Sequence, residues 1–219
     1  MIKIPSFLRL IAIVYLALLP AHVNALTPAQ VFDKVKDSVV VVITLDAKGK
    51  VKDQGSGVLL PSGNIATPCP VVEGGISYQV GRGKKFVPAT LNAEKGNRDI
   101  CILDAKDLRG KPVQIGKATS LKVGDPVYAV GALQGLDISL SEGIVVQLQG
   151  GPPPLFLIQT TAAVSPGSNG GGLFDGEGRL VGLTLEGRQN LNFAMPVEWV
   201  GKAKQGQKSA IERLDQTDW

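Results

Sequence analysis

Residues 39–45 read V-V-V-V-I-T-L, a nearly unbroken apolar and β-branched run that suits a strand. Upstream of it, Thr27-Pro28 opens a short helix, with Thr27 as N-cap and Pro28 in the first turn. Val31, Phe32 and Val35 give that helix an apolar face. Residues 55–60 and 64–67 read as two strands of a hairpin turned at Pro61-Ser62-Gly63. Further apolar runs at 76–80, 86–91 and 99–103 predict strands. A second series follows Gly110, at 127–130, 138–148, 155–161, 180–185 and 191–195, separated by Gly, Pro and Asp turns. About ten or more short strands at this spacing predict an all-β chain built as barrels or a sandwich. The polar tail at 197–214 carries Trp199, Val200, Ile211 and Leu214 at intervals that predict a C-terminal helix. There is no internal repeat and no low-complexity linker.

The first 25 residues depart from this pattern. Lys3 and Arg9 give a positive start, residues 10–19 are an apolar run, and Val23-Asn24-Ala25 places small residues at a cut site. These are the parts of a secretory signal peptide over 1–25. The run is short for a membrane span, which needs about 20 apolar residues. Export, to a periplasm or to the outside, puts the cysteines in an oxidising compartment.

Composition narrows the chemistry. The chain has 219 residues, 27 of them Gly and 14 Pro, which favours a loop-rich β protein. Lys and Arg number 23 against 19 Asp and Glu, too mild an excess for a nucleic-acid or membrane-surface footprint. The single histidine, His22, lies in the leader, so the exported chain has no imidazole to act as base in a triad. Two cysteines without a histidine make a poor zinc site, and no cofactor motif is present.

The densest chemical signal is residues 160–175, T-T-A-A-V-S-P-G-S-N-G-G-G-L-F-D. Glycine at that density frees the backbone to aim amides at one spot, which is how an oxyanion hole is built. On glycine alone, a plain hairpin connection is the better explanation.

The wider spelling resembles the nucleophile loop of trypsin-like serine proteases, and most of all the HtrA/DegP branch, whose loop reads N-P-G-N-S-G-G. G-S-G-V-L-L followed by N-I-A-T-P-C-P-V-V is similar to that branch's strand and histidine loop. Asp99-Ile100-Cys101-Ile102-Leu103 is similar to its aspartate strand. Val123-Gly124-Asp125, Val130-Gly131, Gly143-Ile144-Val145 and Asn192-Phe193-Ala194-Met195-Pro196 follow in the family's order, so the resemblance covers about residues 38–199. It implies two antiparallel six-stranded β-barrels, one over about 38–110 and the other over about 111–196, with the active site between them. The tail is too short for the PDZ-like domain of most HtrA proteins, so none is expected.

Carried over residue by residue, the resemblance puts Asp99 at the aspartate place, Pro70 at the histidine place and Asn169 at the serine place. Proline has no ionisable group, and an asparagine amide is neither nucleophile nor base. Losing the base or nucleophile of a triad costs on the order of six decades in turnover. Asp99 either is more solvated or protonated than in an active relative, or merely ends a strand. The backbone N–H groups of Gly167 and Asn169 match the oxyanion hole, which either persists or is filled by the Asn169 amide. Leu183, Thr184 and Leu185 match the strand that pairs with an extended peptide. Ala163 stands where a specificity carboxylate would stand, so no selection for Lys or Arg is expected. Two substitute nucleophiles exist: Ser168, one place early and in need of a lysine base, and Cys69, with no histidine to activate it. The resemblance also places Cys69 beside the histidine place and Cys101 on the face of Asp99. That leaves a Cys69–Cys101 disulfide or two separate buried thiols.

The expected function is therefore an exported, catalytically inactive trypsin-like homologue. It would hold a peptide or protein partner, an active protease included, in the interbarrel cleft, with no metal or cofactor. The alternatives are an active endopeptidase with an unrecognised arrangement, and a structural envelope protein.

Overall fold

The computed structural model describes residues 26–92, 100–133, 137–149, 157–187 and 192–200. Helix α1 (Pro28–Val35) starts as its sequence predicts. Thr27 accepts from the Gln30 N–H, and the Gln30 side chain returns to the Thr27 N–H, which closes a capping box. Its buried residues, Val31 and Val35, seat it on the barrels.

Strands β1 (Val39–Leu45), β2 (Val51–Leu59), β3 (Ile65–Pro68), β4 (Ser77–Arg82), β5 (Lys85–Leu91) and β6 (Ile100–Asp104) close a barrel in the order β1-β2-β3-β6-β5-β4. Strands β7 (Pro126–Ala132), β8 (Ile138–Gln149), β9 (Leu157–Thr160), β10 (Gly172–Asp175), β11 (Leu180–Glu186) and β12 (Asn192–Pro196) close a second, in the order β10-β11-β12-β9-β8-β7. Every pairing within the two barrels is antiparallel. The all-β, two-barrel expectation holds.

Strand alternation explains the continuous apolar runs. Val40 and Val42 pack with Ile65, Val80 and Leu103 in the first barrel's core. Their neighbour Val39 belongs to a different cluster, with Val58 and Ile100 of the first barrel and Tyr128, Val130, Phe174 and Leu180 of the second. β1 is thus apolar on both faces because one lines a barrel and the other lines the seam between barrels. Fully burying each such valine contributes roughly 1.5–3 kcal/mol.

Three elements differ from the sequence reading. β2 begins at Val51 rather than Gly55, because its first residues are solvent-facing and lack an apolar signal. A one-turn helix, α2 (Cys69–Val72), follows β3 directly. β10 emerges straight from the glycine run, and its four residues are too few to show a period. Of the predicted C-terminal helix, a single 3-10 turn at Val197–Trp199 is described, and residues 201–214 lie outside the described residues.

Candidate functional site

Ser165-Pro166-Gly167-Ser168 forms a tight turn closed by the Ser168 N–H donating to Ser165 O at 2.9 Å. Proline in the second place and Gly167 at φ +91° in the third are the signature of a type II turn. A type I turn would flip the Pro166–Gly167 peptide over, so the glycine decides which way its own N–H points. Gly170, at φ +87°, is constrained further. A Cβ there would stand 2.2 Å from Ser56 O and 2.6 Å from Pro68 Cδ.

The loop is fastened to both barrels. Ser56, fully buried on β2, donates its hydroxyl to Gly167 O at 2.9 Å and its N–H to Asn169 O at 2.7 Å. The same hydroxyl accepts from the Ala132 N–H of β7 at 2.8 Å. On the second barrel, the Thr184 hydroxyl donates to Ser168 O at 2.7 Å, Gly170 N–H donates to Thr184 O, and Thr184 N–H donates to Gly171 O. The N–H groups of Gly167 and Asn169 donate to no acceptor among the described residues. The Asn169 side chain turns to the end of β11, where its Oδ1 accepts from the Glu186 N–H. Sequence reading missed Ser56 and Glu186. The available signal for Ser56 was its place between two glycines inside a strand, a mark of close backbone approach.

Two expected features need correction or relocation. Leu183, Thr184 and Leu185 do not offer an open edge. Leu183 pairs with Gly172 and Met195, Thr184 spends its N–H and C=O on the loop, and Leu185 pairs with Phe193 of β12. All three are buried in a closed barrel. Asp99 lies outside the described residues. Pro70 sits exposed in the first turn of α2, while Val71 behind it packs so close to β2 that a Cβ on Gly55 would approach its Cγ1 to 2.6 Å.

Cys69 and Cys101 are joined as a disulfide, with their Cα atoms 4.8 Å apart. The β3–β6 register brings them there by pairing Thr67 with Cys101 and Pro68 with Ile100. Cys69 therefore has no free thiol. Ser168 is 9% exposed, and its hydroxyl donates to Ser165 O at 2.6 Å while accepting from the Ser165 N–H at 2.8 Å. Both of its hydrogen-bonding roles are used inside the turn. Beneath the loop lies a cavity of about 250 Å³, whose lining includes Ala163, Val164, Ser165, Ser168 and Thr184 and no charged side chain. Among the described residues no group of His, Cys, Asp and Glu is placed to hold a metal, and no helix is long and apolar enough to cross a membrane.

Comparison with known proteins gives this geometry its kin. The chain is 32% identical over 167 residues to a probable periplasmic serine endoprotease DegP-like from Pseudomonas savastanoi pv. phaseolicola, covering 70% of this chain and 34% of that one. It is 30% identical over 175 residues to Protease Do-like 1, chloroplastic, from Arabidopsis thaliana, covering 72% and 40%. In both, it spans well under half of the relative's length. The fold superposes on an HtrA-type protease AlgW with tripeptide at TM-score 0.70, with 23% identity over 80% of this chain and 61% of that one. It also superposes on an inactive form of Rv3671c protease at TM-score 0.67, over 83% and 92%. The model of the trypsin-like peptidase domain matches residues 55–183, from the glycine that admits Val71 to the strand behind the loop, and the chain belongs to that family.

Proposed function

We propose that this protein is an exported, catalytically inactive trypsin-like homologue that binds a peptide or protein partner between its barrels. The observation that carries the reading is the state of the residue at the nucleophile place. Asn169 holds an amide there, and its oxygen is tied to the Glu186 N–H rather than presented to a base. The two candidate replacements are spent: the Ser168 hydroxyl inside its turn and the Cys69 sulfur in its disulfide. No histidine follows His22 in the sequence. An endopeptidase of conventional mechanism needs an activated nucleophile within reach of a base. What remains is an uncharged cavity beside a loop whose Gly167 and Asn169 N–H groups have no acceptor among the described residues, which suits recognition.

The leader-like residues 1–25, the disulfide and the periplasmic naming of the DegP-like relative support export. The competing reading, an active endopeptidase, draws on the family alone. The test is incubation of the protein lacking residues 1–25 with unfolded casein and with a serine-directed phosphonate. The expected result is intact casein and an unmodified mass. Casein cleavage, or phosphonate on Ser168, overturns the proposal in favour of the peptidase.

A further inference from the structure

The Cys69–Cys101 disulfide ties together two elements of unequal firmness. Cys101 lies on β6 between the buried Ile100 and Ile102, and that strand is paired along β3. Cys69 opens α2, which is one turn long. A helix of one turn has no stability of its own. Pro68 and Pro70, on either side of Cys69, bring no N–H to it. α2 is held to the barrel by the disulfide, by burial of Val71 and Val72, and by two hydroxyls: Thr44 donates to Val71 O at 2.7 Å and Tyr78 to Val72 O at 3.3 Å. The glycine-rich loop leans on this same segment at two points. A Cβ on Gly170 would stand 2.6 Å from Pro68 Cδ and 2.8 Å from Thr67 Oγ1. A Cβ on Gly55 would stand 2.6 Å from Val71 Cγ1 and 3.0 Å from Asn169 O, so Gly55 is the thin wall between α2 and the loop. Beside that wall, the Ser56 N–H donates to Asn169 O at 2.7 Å. Pro68 and Val71 thus flank Cys69 in sequence and back the loop in space.

We propose that the Cys69–Cys101 disulfide is a redox switch, whose opening by a dithiol loosens residues 167–170. Both cysteines are half-buried rather than sealed in the core, which leaves the bond open to thiol–disulfide exchange. The thiolate of a Cys-x-x-Cys dithiol attacks one sulfur, the S–S bond breaks, and the other cysteine leaves as a thiolate that takes up a proton. The partner's second thiol then displaces the first cysteine from the mixed disulfide. Two electrons and two protons pass to this chain, and the partner ends as the disulfide. α2 loses its covalent tie while β6 stays in its ladder, so the movable side is the one that carries Pro68 and Val71. The loop then rests on a backing that opens more often, and the Ser56–Asn169 bond opens with it. An oxidising compartment keeps the loop fixed, and a reducing partner releases it. The inference goes beyond the reading of the cleft as a binding site and holds whether or not a peptide enters it.

The test uses the ¹⁵N-labelled protein lacking residues 1–25, in native buffer with graded ratios of reduced to oxidised dithiothreitol. Alkylation by iodoacetamide and mass measurement count the thiols, and amide hydrogen exchange is followed in parallel. The expected result is a reversible two-thiol transition without denaturant. On reduction, the Ser56 and Gly170 N–H groups should exchange about tenfold faster or more, and slow again on reoxidation. The Val145 and Asp175 N–H groups, which donate to Asp125 O and Arg179 O on the second barrel, should change by less than about twofold. Cys69→Ser/Cys101→Ser should match the reduced protein without any reductant. Val71→Ala, with the disulfide intact, should reproduce part of the acceleration at Ser56. Absence of thiols until denaturant is added overturns the switch, because no partner could then reach the sulfurs in the folded chain. Thiols with unchanged exchange at Ser56 and Gly170 overturn the link to the loop. Equal acceleration at Val145 and Asp175 also overturns the switch, since the bond is then a staple for the whole fold.

Discussion

Replacing Ser56 by alanine removes one oxygen atom from a fully buried site and leaves two partners behind. Gly167 O loses its donor at 2.9 Å and the Ala132 N–H loses its acceptor at 2.8 Å. A stranded buried polar group costs about 1–3 kcal/mol, and two such groups put the loss at about 2–6 kcal/mol. Against a domain stability of about 5–15 kcal/mol, that is a large fraction. Urea unfolding of Ser56→Ala followed by intrinsic fluorescence measures it, with the linear slope expected to stay unchanged. Ser62→Ala, on the exposed turn after β2, is the control and should fall within about 0.5 kcal/mol. A loss below about 0.5 kcal/mol for Ser56→Ala would refute the claim that this hydroxyl rivets the loop to both barrels.

The Cys69–Cys101 disulfide spans a sequence separation of 32, and the chain-entropy model assigns such a loop about 4 kcal/mol. Cys69→Ala/Cys101→Ala should lose that much in urea, and a loss under about 1 kcal/mol would show that the reduced chain is already constrained. Gly170→Ala drives a Cβ to 2.2 Å from Ser56 O and should cost more than about 4 kcal/mol or prevent folding. Gly63→Ala, also at positive φ but with nothing within 4 Å, should cost about 1–2 kcal/mol when both variants are unfolded in urea, and equal losses would sink the steric argument. Thr184→Val keeps the side chain's shape and removes the hydroxyl's bond to Ser168 O, which keeps the Gly171 N–H, so it should cost about 0.5–1.5 kcal/mol by urea unfolding.

The barrels were legible because their strands carry apolar residues on one or both faces. The run at residues 39–45 announces itself by composition alone. β10 and the first half of β2 were not legible, since Gly172–Asp175 is too short for a period and residues 51–54 face solvent. At the site, spelling pointed to Gly167, Asn169 and the two cysteines, and left the pairing of the cysteines open. The β3–β6 register resolved it. The edge expected at Leu183, Thr184 and Leu185 failed for a physical reason. Whether a strand edge is open depends on what the neighbouring loop does with its own amides, and Gly170 and Gly171 turn back onto Thr184. Ser56 stayed hidden because one serine in a strand carries no period, and its partners at Gly167, Asn169 and Ala132 are distant in sequence.

The fastening of the loop by Ser56 also bears on the order in which the molecule can assemble. Ser56, which holds the carbonyls of Gly167 and Asn169, lies on β2, more than a hundred positions earlier in the chain. A chain emerging amino terminus first presents that template before the loop exists. The loop thus meets its first-barrel partner as soon as it is made, and only its bonds to Thr184 wait for material still to come. A circular permutant that delivers the second barrel first would reverse this sequence, holding the glycine run unanchored until β2 arrives. During synthesis it should therefore become protease-resistant later than the natural chain, with the same final structure reached by a longer route.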